Sequence, residues 1–419
     1  MKLKYSLLSL AFLALSLGSP SLASPMPSSI NKLKEEIKHS MEAHLSHTLG
    51  RSPVNFDLEV TADKIPPQCT RCGTYFFRLP SALRLDRDTV FNGVTLTFKD
   101  QQAVLSGQVY STKERDLLVQ AVTHVLGKPI VELKTFPYEA VGNDYGITND
   151  QADLYVLPKV EVGDNLATQA RLGTPVKILQ YSSDKKFALV RVEDDGYIAW
   201  IQRKHLHEGD QNWYQSWLNG RSVLVMSAIQ SPSVLPVGTR LRFVKDQGKQ
   251  IQAALPNNKV LTLSKSQVVL NQPGKMPKPN DLLITAKHYL PQGPEGGGTY
   301  LWGGTYGKRL DCSGFVQTVY RMHGVYLPRD ADQQKAFTQR VGSELKSHHE
   351  LKAGDLVFFS GNRKYATHVG MYIGNHQFIH SSAKGPYNGI KISTLQGGGE
   401  YDKYLQSIYF GGGRVTRSL

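Results

Sequence analysis

Residues 300–314 read YLWGGTYGKRLDCSG. Gly303, Gly304 and Gly307 turn the chain and deliver Cys312, flanked by Asp311 and Ser313, to a segment in which Phe315, Val316, Val319, Tyr320 and Met322 share a helical face and Gly324 ends the run. Asp311 or Ser313 can cap this helix. A thiol at a helix N-terminus stands at the positive end of the dipole, which predicts a lowered pKa and a raised thiolate fraction for Cys312. Such a nucleophile works with an imidazole that shuttles a proton and a third polar group that orients the imidazole.

Downstream the pattern turns to strands, over residues 355–359, 368–373, 377–380 and 389–392, and Gly374-Asn375 marks a hairpin turn. Folding that hairpin brings His368, at the start of one strand, and His380, at the end of the next, to the same end. The pair can serve the thiol as base and orienter. It can also hold a metal ion, although no carboxylate at matching spacing offers a third ligand. His323, His348, His349 and His376 read as surface or satisfied core residues.

The bulk properties frame this site. A chain of 419 residues predicts roughly two to four domains. Lys2 and Lys4, an apolar core over about residues 7–17, and Ser21-Leu22-Ala23 read as a secretory signal over residues 1–23. No segment is long enough to span a bilayer, so the expectation is an exported chain without a stable membrane anchor, in the periplasm or at or beyond the wall. Net charge is +14, of which the first 23 residues contribute only Lys2 and Lys4. Export directs that charge at wall polymers or anionic head groups and away from nucleic acid. Of the three cysteines, Cys69 and Cys72 can close a local disulfide, leaving Cys312 free. A redox pair or half of a zinc site are the alternatives, but Pro66-Pro67 before and Tyr75-Phe76-Phe77 after do not offer the exposed helix start a redox pair needs.

Taken in order, Ile30, Leu33, Ile37, Met41, Leu45 and Leu49 predict an amphipathic helix. Residues 94–98 and 103–109 read as strands, 111–125 as a helix and 130–133 as a strand, and residues 90–140 resemble the BON domain, a small α/β module of bacterial envelope proteins. From residue 151 to 207 short strands alternate with turns, as in a small β-barrel. The Gly173-Thr174 step and the DGYIAWI run at 195–201 resemble bacterial SH3-like domains, and a second copy is expected between about residues 216 and 270, with Gly238-Thr239 in the equivalent place. A Pro- and Lys-rich linker over 271–281 marks the last boundary. The expected units are 1–23, signal; 24–148, α/β; 149–210 and 211–271, SH3-like; and 272–419, the thiol-bearing domain.

The ordered blocks Tyr300-x-Trp302-Gly303-Gly304, Asp311-Cys312-Ser313-Gly314, Leu327-Pro328-Arg329, residues 353–359, His368 to Gly374 and Phe378-Ile379-His380 resemble the NlpC family of cell-wall cysteine peptidases over residues 281–410. That resemblance implies a papain-like α+β domain, with Cys312 as nucleophile, His368 as base and acid, His380 as its orienter and Tyr300 beside the oxyanion. Residues 329–334, with SH3-like domains in front, look like the γ-D-glutamyl-L-diamino acid endopeptidase branch, which acts on short muropeptides with a free L-alanine amine. This implies substrate contacts from Asp311 and Ser313, and Trp302 and Arg329 are expected to bind substrate as well; helix capping is the other role open to Asp311 and Ser313. The implied partner is peptidoglycan or its released muropeptides, the implied state a monomer, and no metal or cofactor is required. A wall-binding scaffold without turnover, or an acyltransferase on the same fold, are the competing functions.

Overall fold

The computed structural model describes residues 57–61, 74–78, 94–100, 102–109, 112–135, 145–161, 165–363 and 365–419. The expected signal, the helix over residues 30–49 and the Cys69/Cys72 pair lie outside the described residues. The first sheet runs β1 (Asp57–Thr61), β2 (Thr74–Arg78), β3 (Val94–Lys99), β4 (Gln102–Val109) and β5 (Ile130–Thr135) in sequence order. Helix α1 (Thr112–Leu126) makes the crossover that lets β4 and β5 pair in parallel, and it packs on β4 and β5, with Leu118 and Val122 of the helix and Leu96 and Leu105 of the sheet all buried.

The second sheet is antiparallel, built from β6 (Tyr145–Thr148), β7 (Ala152–Tyr155), β8 (Leu166–Ala170), β9 (Pro175–Tyr181), β10 (Phe187–Val192), β11 (Ile198–Gln202) and β12 (Leu206–Gly209), in the order β12-β6-β9-β10-β11-β7-β8. Its strands are apolar on both faces. Ile178, Val190, Ala199 and Ile201 fill one core, while Leu179, Leu189, Ile198 and Trp200 fill another. Helix α2 (Gln211–Leu218) follows, capped by the Asp210 carboxylate, which accepts from Trp213 N at 2.8 Å, and it buries Tyr214 and Trp217 against Ile147.

The third sheet, β13 (Ser222–Val225), β14 (Arg240–Gln247), β15 (Gln250–Ala254), β16 (Val260–Ser264) and β17 (Val268–Leu270), has the order β16-β15-β14-β13-β17. Its Gly238-Thr239 turn repeats that of Gly173-Thr174 bond for bond. In each, the glycine has φ above +80° and donates to a strand carbonyl, Thr148 or Val225, and the same residue's N–H donates back to the threonine carbonyl. Positive φ is where glycine alone is unstrained, which is why the Gly-Thr step is a visible repeat signal.

The last unit begins at α3 (Pro279–Lys287), with Pro279 at its first turn. Then come α4 (Cys312–Arg321), α5 (Ala331–Phe337), β18 (Gln339–Val341), β19 (Leu356–Phe359), β20 (His368–Gly374), β21 (Gln377–Ser382), β22 (Gly389–Thr394), α6 (Glu400–Ser407) and β23 (Tyr409–Arg414). The six strands form one antiparallel sheet, β18-β23-β19-β20-β21-β22, and α4 packs on β20 and β21. Every residue of α4 is buried, and Phe315, Val316 and Val319 sit among Leu356, Phe358, Val369, Met371 and Ile379. Each such side chain contributes on the order of 1.5–3 kcal/mol by leaving water, so the helix that begins at Cys312 is fixed by its whole circumference.

Candidate active site

Two glycine-backed contacts hold the start of α4. Asp311 is its N-cap, accepting from Gly314 N at 2.7 Å through Oδ1 and from Gly303 N at 2.9 Å through Oδ2. A Cβ on Gly314 would fall 2.1 Å from the Gly304 carbonyl, so the loop can lie against the helix only with glycine there. Arg329 completes the anchor. Its Nη1 donates to Asp311 Oδ1 at 3.1 Å and to Ser313 Oγ at 2.9 Å, and its Nη2 to Asp311 Oδ2 at 2.6 Å, in a fork geometry that suits a carboxylate. Gln334 Nε2 donates to the carbonyls of Ser313 and Pro328, at 3.1 and 2.9 Å.

The SH3-like unit reaches into this anchor. Arg329 Nε donates to Thr168 Oγ1 at 2.8 Å, and Gln317 Nε2 donates to Asp195 Oδ2 at 3.0 Å. Thr305, in the turn before Cys312, donates its N–H to Gln169 Oε1 and its hydroxyl to Gln169 O, both at 2.9 Å. Arg171 bonds Thr305 O and, at 2.9 Å, Thr318 Oγ1. At the far end of α4, Asp194 pairs with Arg321 at 2.5 Å and with Arg240 of the third sheet at 3.3 Å, and all three are buried. The three sheets from β6 onward therefore meet at a polar junction around one helix.

His368 and His380 do meet. His368 Nε2 lies 2.7 Å from His380 Nδ1, with the rings edge to face. His380 is fully buried, with Phe378 tilted against it at 5.0 Å, Tyr401 stacked at 6.1 Å, and Ser393 Oγ 3.2 Å from its Nε2. The Val369 N–H, next to His368, donates toward the Cys312 sulfur, which places the thiol at the start of β20. His368 Nε2 faces His380, so Nδ1 is the ring nitrogen not engaged with the second imidazole.

The expected lowering of the Cys312 pKa is corrected by the structure. Burial first, then the Asp311 charge, pushes the thiol up to about 12, against the opposing pull of the Val369 N–H and Arg329. A helix terminus is worth up to about 1 kcal/mol at an exposed site, and taking a thiolate out of water outweighs it here. Burial, with Lys391 second, likewise holds His368 down at about 4, and burial with the neighbouring His368 holds His380 well below its usual range. Burial thus favours the neutral form of the thiol and of both imidazoles.

The other expected residues are spread around this centre. Tyr300, half-buried, donates its N–H to Asn388 Oδ1 at 2.8 Å, and burial raises its hydroxyl well above its usual pKa, with Cys312 the next cause. Trp302 is 60% exposed, the most open of the candidate residues among those described. Asp311, Ser313 and Arg329 are brought together, as above. His323 bonds Thr285 at 2.8 Å, and His348 bonds His376 at 2.7 Å, away from the thiol. Among the described residues no cluster of three metal-binding side chains occurs. Thr168, Gln169, Gln317 and Ser393 escape the sequence reading; isolated polar residues in strands or helices carry no motif.

A buried thiol at the start of a helix, laid against an antiparallel sheet that carries two bonded imidazoles, defines the site of a cysteine peptidase. The NlpC/P60 family model matches residues 297–409, and that of the bacterial dipeptidyl-peptidase SH3 domain matches residues 158–206. The chain is 30% identical over 238 residues to the γ-D-glutamyl-L-lysine dipeptidyl-peptidase of Bacillus cereus, covering 52% of this chain and 68% of that protein. It is 38% identical over 117 residues to the protein of the same name from Bacillus subtilis, covering 27% of this chain and 35% of that one. A crystal structure of an NlpC/P60 family protein from Bacillus cereus superposes on 65% of this chain and 99% of its own, at 25% identity and a TM-score of 0.53. The chain belongs to the NlpC/P60 family, with its peptidase domain C-terminal to an SH3-like domain.

Proposed function

We propose that this protein cleaves the bond between γ-D-glutamate and the diamino acid, diaminopimelate or lysine, in wall stem peptides or released muropeptides. The observation that carries the reading is the His368–His380 bond at 2.7 Å beside a thiol that the Val369 N–H faces. The names of the Bacillus relatives supply the bond.

In this reading the Cys312 proton passes to His368 Nδ1 as Sγ attacks the γ-carbonyl carbon. The tetrahedral oxyanion takes a hydrogen bond from the Cys312 N–H, with Tyr300 beside it. His368 returns the proton to the amide nitrogen, the C–N bond breaks and the diamino-acid product leaves. Water, deprotonated by His368, then attacks the thioester and restores the thiol. His380 orients His368. Trp302 and Ser313 meet the substrate, while the buried Asp311–Arg329 pair sets the positions of Ser313 and the Gly303 backbone. No metal or cofactor enters any step.

The chain is read as exported and monomeric, acting in the periplasm or at the wall; among the described residues no helix is long and apolar enough to cross a membrane. The units at 149–210, 211–271 and 272–419 are proposed as two SH3-like domains and the peptidase, and the N-terminal unit, with β3, β4, α1 and β5 in that order, as a small α/β domain. The test is digestion of defined tri- and tetrapeptides, with and without an acetylated L-alanine amine. Cleavage of the free-amine peptides only supports muropeptide processing, equal cleavage of both supports action on intact wall, and cleavage of neither overturns the reading.

A further inference from the structure

We infer that Ser393 is a positioning residue: its hydroxyl accepts the Nε2–H of His380, which fixes the tautomers of the imidazole pair so that His368 presents a bare Nδ1 to Cys312. The inference rests on the proposed catalytic trio. His380 is fully buried between Phe378 and Tyr401, with Nδ1 2.7 Å from His368 Nε2 and Nε2 3.2 Å from Ser393 Oγ. A neutral imidazole carries one N–H, so two arrangements of the chain exist. If Ser393 donates to His380 Nε2, the His380 proton sits on Nδ1 and points at His368 Nε2. His368 must then carry its own proton on Nδ1, and it cannot accept one from the thiol. If Ser393 accepts, His380 Nδ1 takes the Nε2–H of His368, and His368 Nδ1 is free.

The charged intermediate makes the choice compulsory. Once His368 holds the thiol proton, both its nitrogens are donors, so His380 must offer a lone pair at Nδ1 and keep its proton on Nε2. That buried N–H needs an acceptor, and an unmet one is costly. No proton travels beyond His368, and His380 stays neutral throughout. The strand places the acceptor by an inverted pattern: on β22 Lys391 and Ser393 point inward, whereas Ile392 between them is 41% exposed. Lys391 is held by the carbonyls of Ser382, Lys384 and Tyr387. The charges facing the pair are Lys391 from β22, Lys384 from the loop after β21 and Asp311 from the start of α4, with neutral Tyr401 from α6 and Cys312 from α4.

The experiment is the pH profile of kcat and KM for the full chain on the tripeptide L-alanyl-γ-D-glutamyl-diaminopimelate. In S393A, kcat falls about tenfold at neutral pH, about 1.4 kcal/mol, with KM unchanged, because the imidazolium is the state that loses its acceptor. For the same reason the acid limb moves about one pH unit lower. S393T keeps the hydroxyl and restores both, whereas S393V, of equal volume, restores neither. If S393A does not fold, the Thr and Val variants carry the comparison. An acid limb that stays in place in the variants lacking the hydroxyl overturns the assignment, even if activity drops. Hydrolysis that persists in C312A overturns the trio and this inference together, whereas an inactive C312A with an unmoved limb overturns this inference alone.

Discussion

Arg329 and Asp311 form a two-pronged buried ion pair, 3.1 and 2.6 Å, one residue before the Cys312 thiol. The pair joins three parts of the molecule, because Arg329 also donates to Thr168 of the SH3-like unit while Asp311 caps α4 and holds the Gly303 N–H. Removing one partner leaves the other charged and dry. R329M is expected to cost on the order of 3–5 kcal/mol, read from urea midpoints at unchanged slope. R329K keeps the charge but loses the fork, and is expected to lie between R329M and wild type.

The same logic applies at the far end of α4. Asp194 faces both Arg321 and Arg240, so D194A leaves two guanidiniums buried and unpaired. A loss of roughly 3 kcal/mol or more is expected. A single cooperative transition that moves down in temperature would show that the second and third sheets and the peptidase domain unfold together; an unchanged melting temperature would contradict the locked junction.

Gly314 permits no side chain. In G314A the new methyl would lie 2.1 Å from the Gly304 carbonyl, and relief requires moving the loop that carries Gly303 and Trp302 away from the helix start. Hydrolysis is expected to fall at least 100-fold, on the order of the loss that a displacement of about 1 Å produces in a positioned site. Activity within twofold of wild type would show that the loop relaxes freely.

Acid should destabilise the fold in a defined window. His368 is held at about 4 against an ordinary 6.5, and His380 is lowered as well, so the unfolded chain binds protons more readily than the native one. Their neutral forms cost nothing above about pH 6.5, and stability then falls as pH drops from there towards 4, by on the order of 3 kcal/mol from His368 alone. Denaturant midpoints between pH 4 and 8 measure this, and H380N is expected to flatten the dependence.

The meeting of His368 and His380 is legible in sequence only as far as a hairpin bringing both to one end: the turn is Asn375-His376, one residue beyond the expected Gly374-Asn375, and a register shift between Tyr372 and Gly374 sets which residues face each other. The SH3-like domain is legible through turn chemistry at Gly173-Thr174, and the same geometry recurs at Gly238-Thr239 of the third sheet. Helix α2 is less legible, since its eight residues lie between sheets whose strands dominate the local pattern. Lys391 and Ser393 are hidden for a different reason. Alternation on a strand is normally read with the apolar residues inside, and β22 inverts it at Ile392. The thiol pKa is misjudged because helix position is visible in sequence and depth of burial is not. The contacts of Thr168, Gln169 and Asp195 with the peptidase domain depend on how two units dock, which no local pattern records.

The most direct test is mass spectrometry of the products formed when the full chain and its C312A variant are incubated with a γ-D-glutamyl-diaminopimelate tripeptide. Wild type is expected to release the free diamino acid and the L-alanyl-D-glutamate dipeptide, and C312A to release neither. Equal release by C312A would contradict a thiol mechanism at this site.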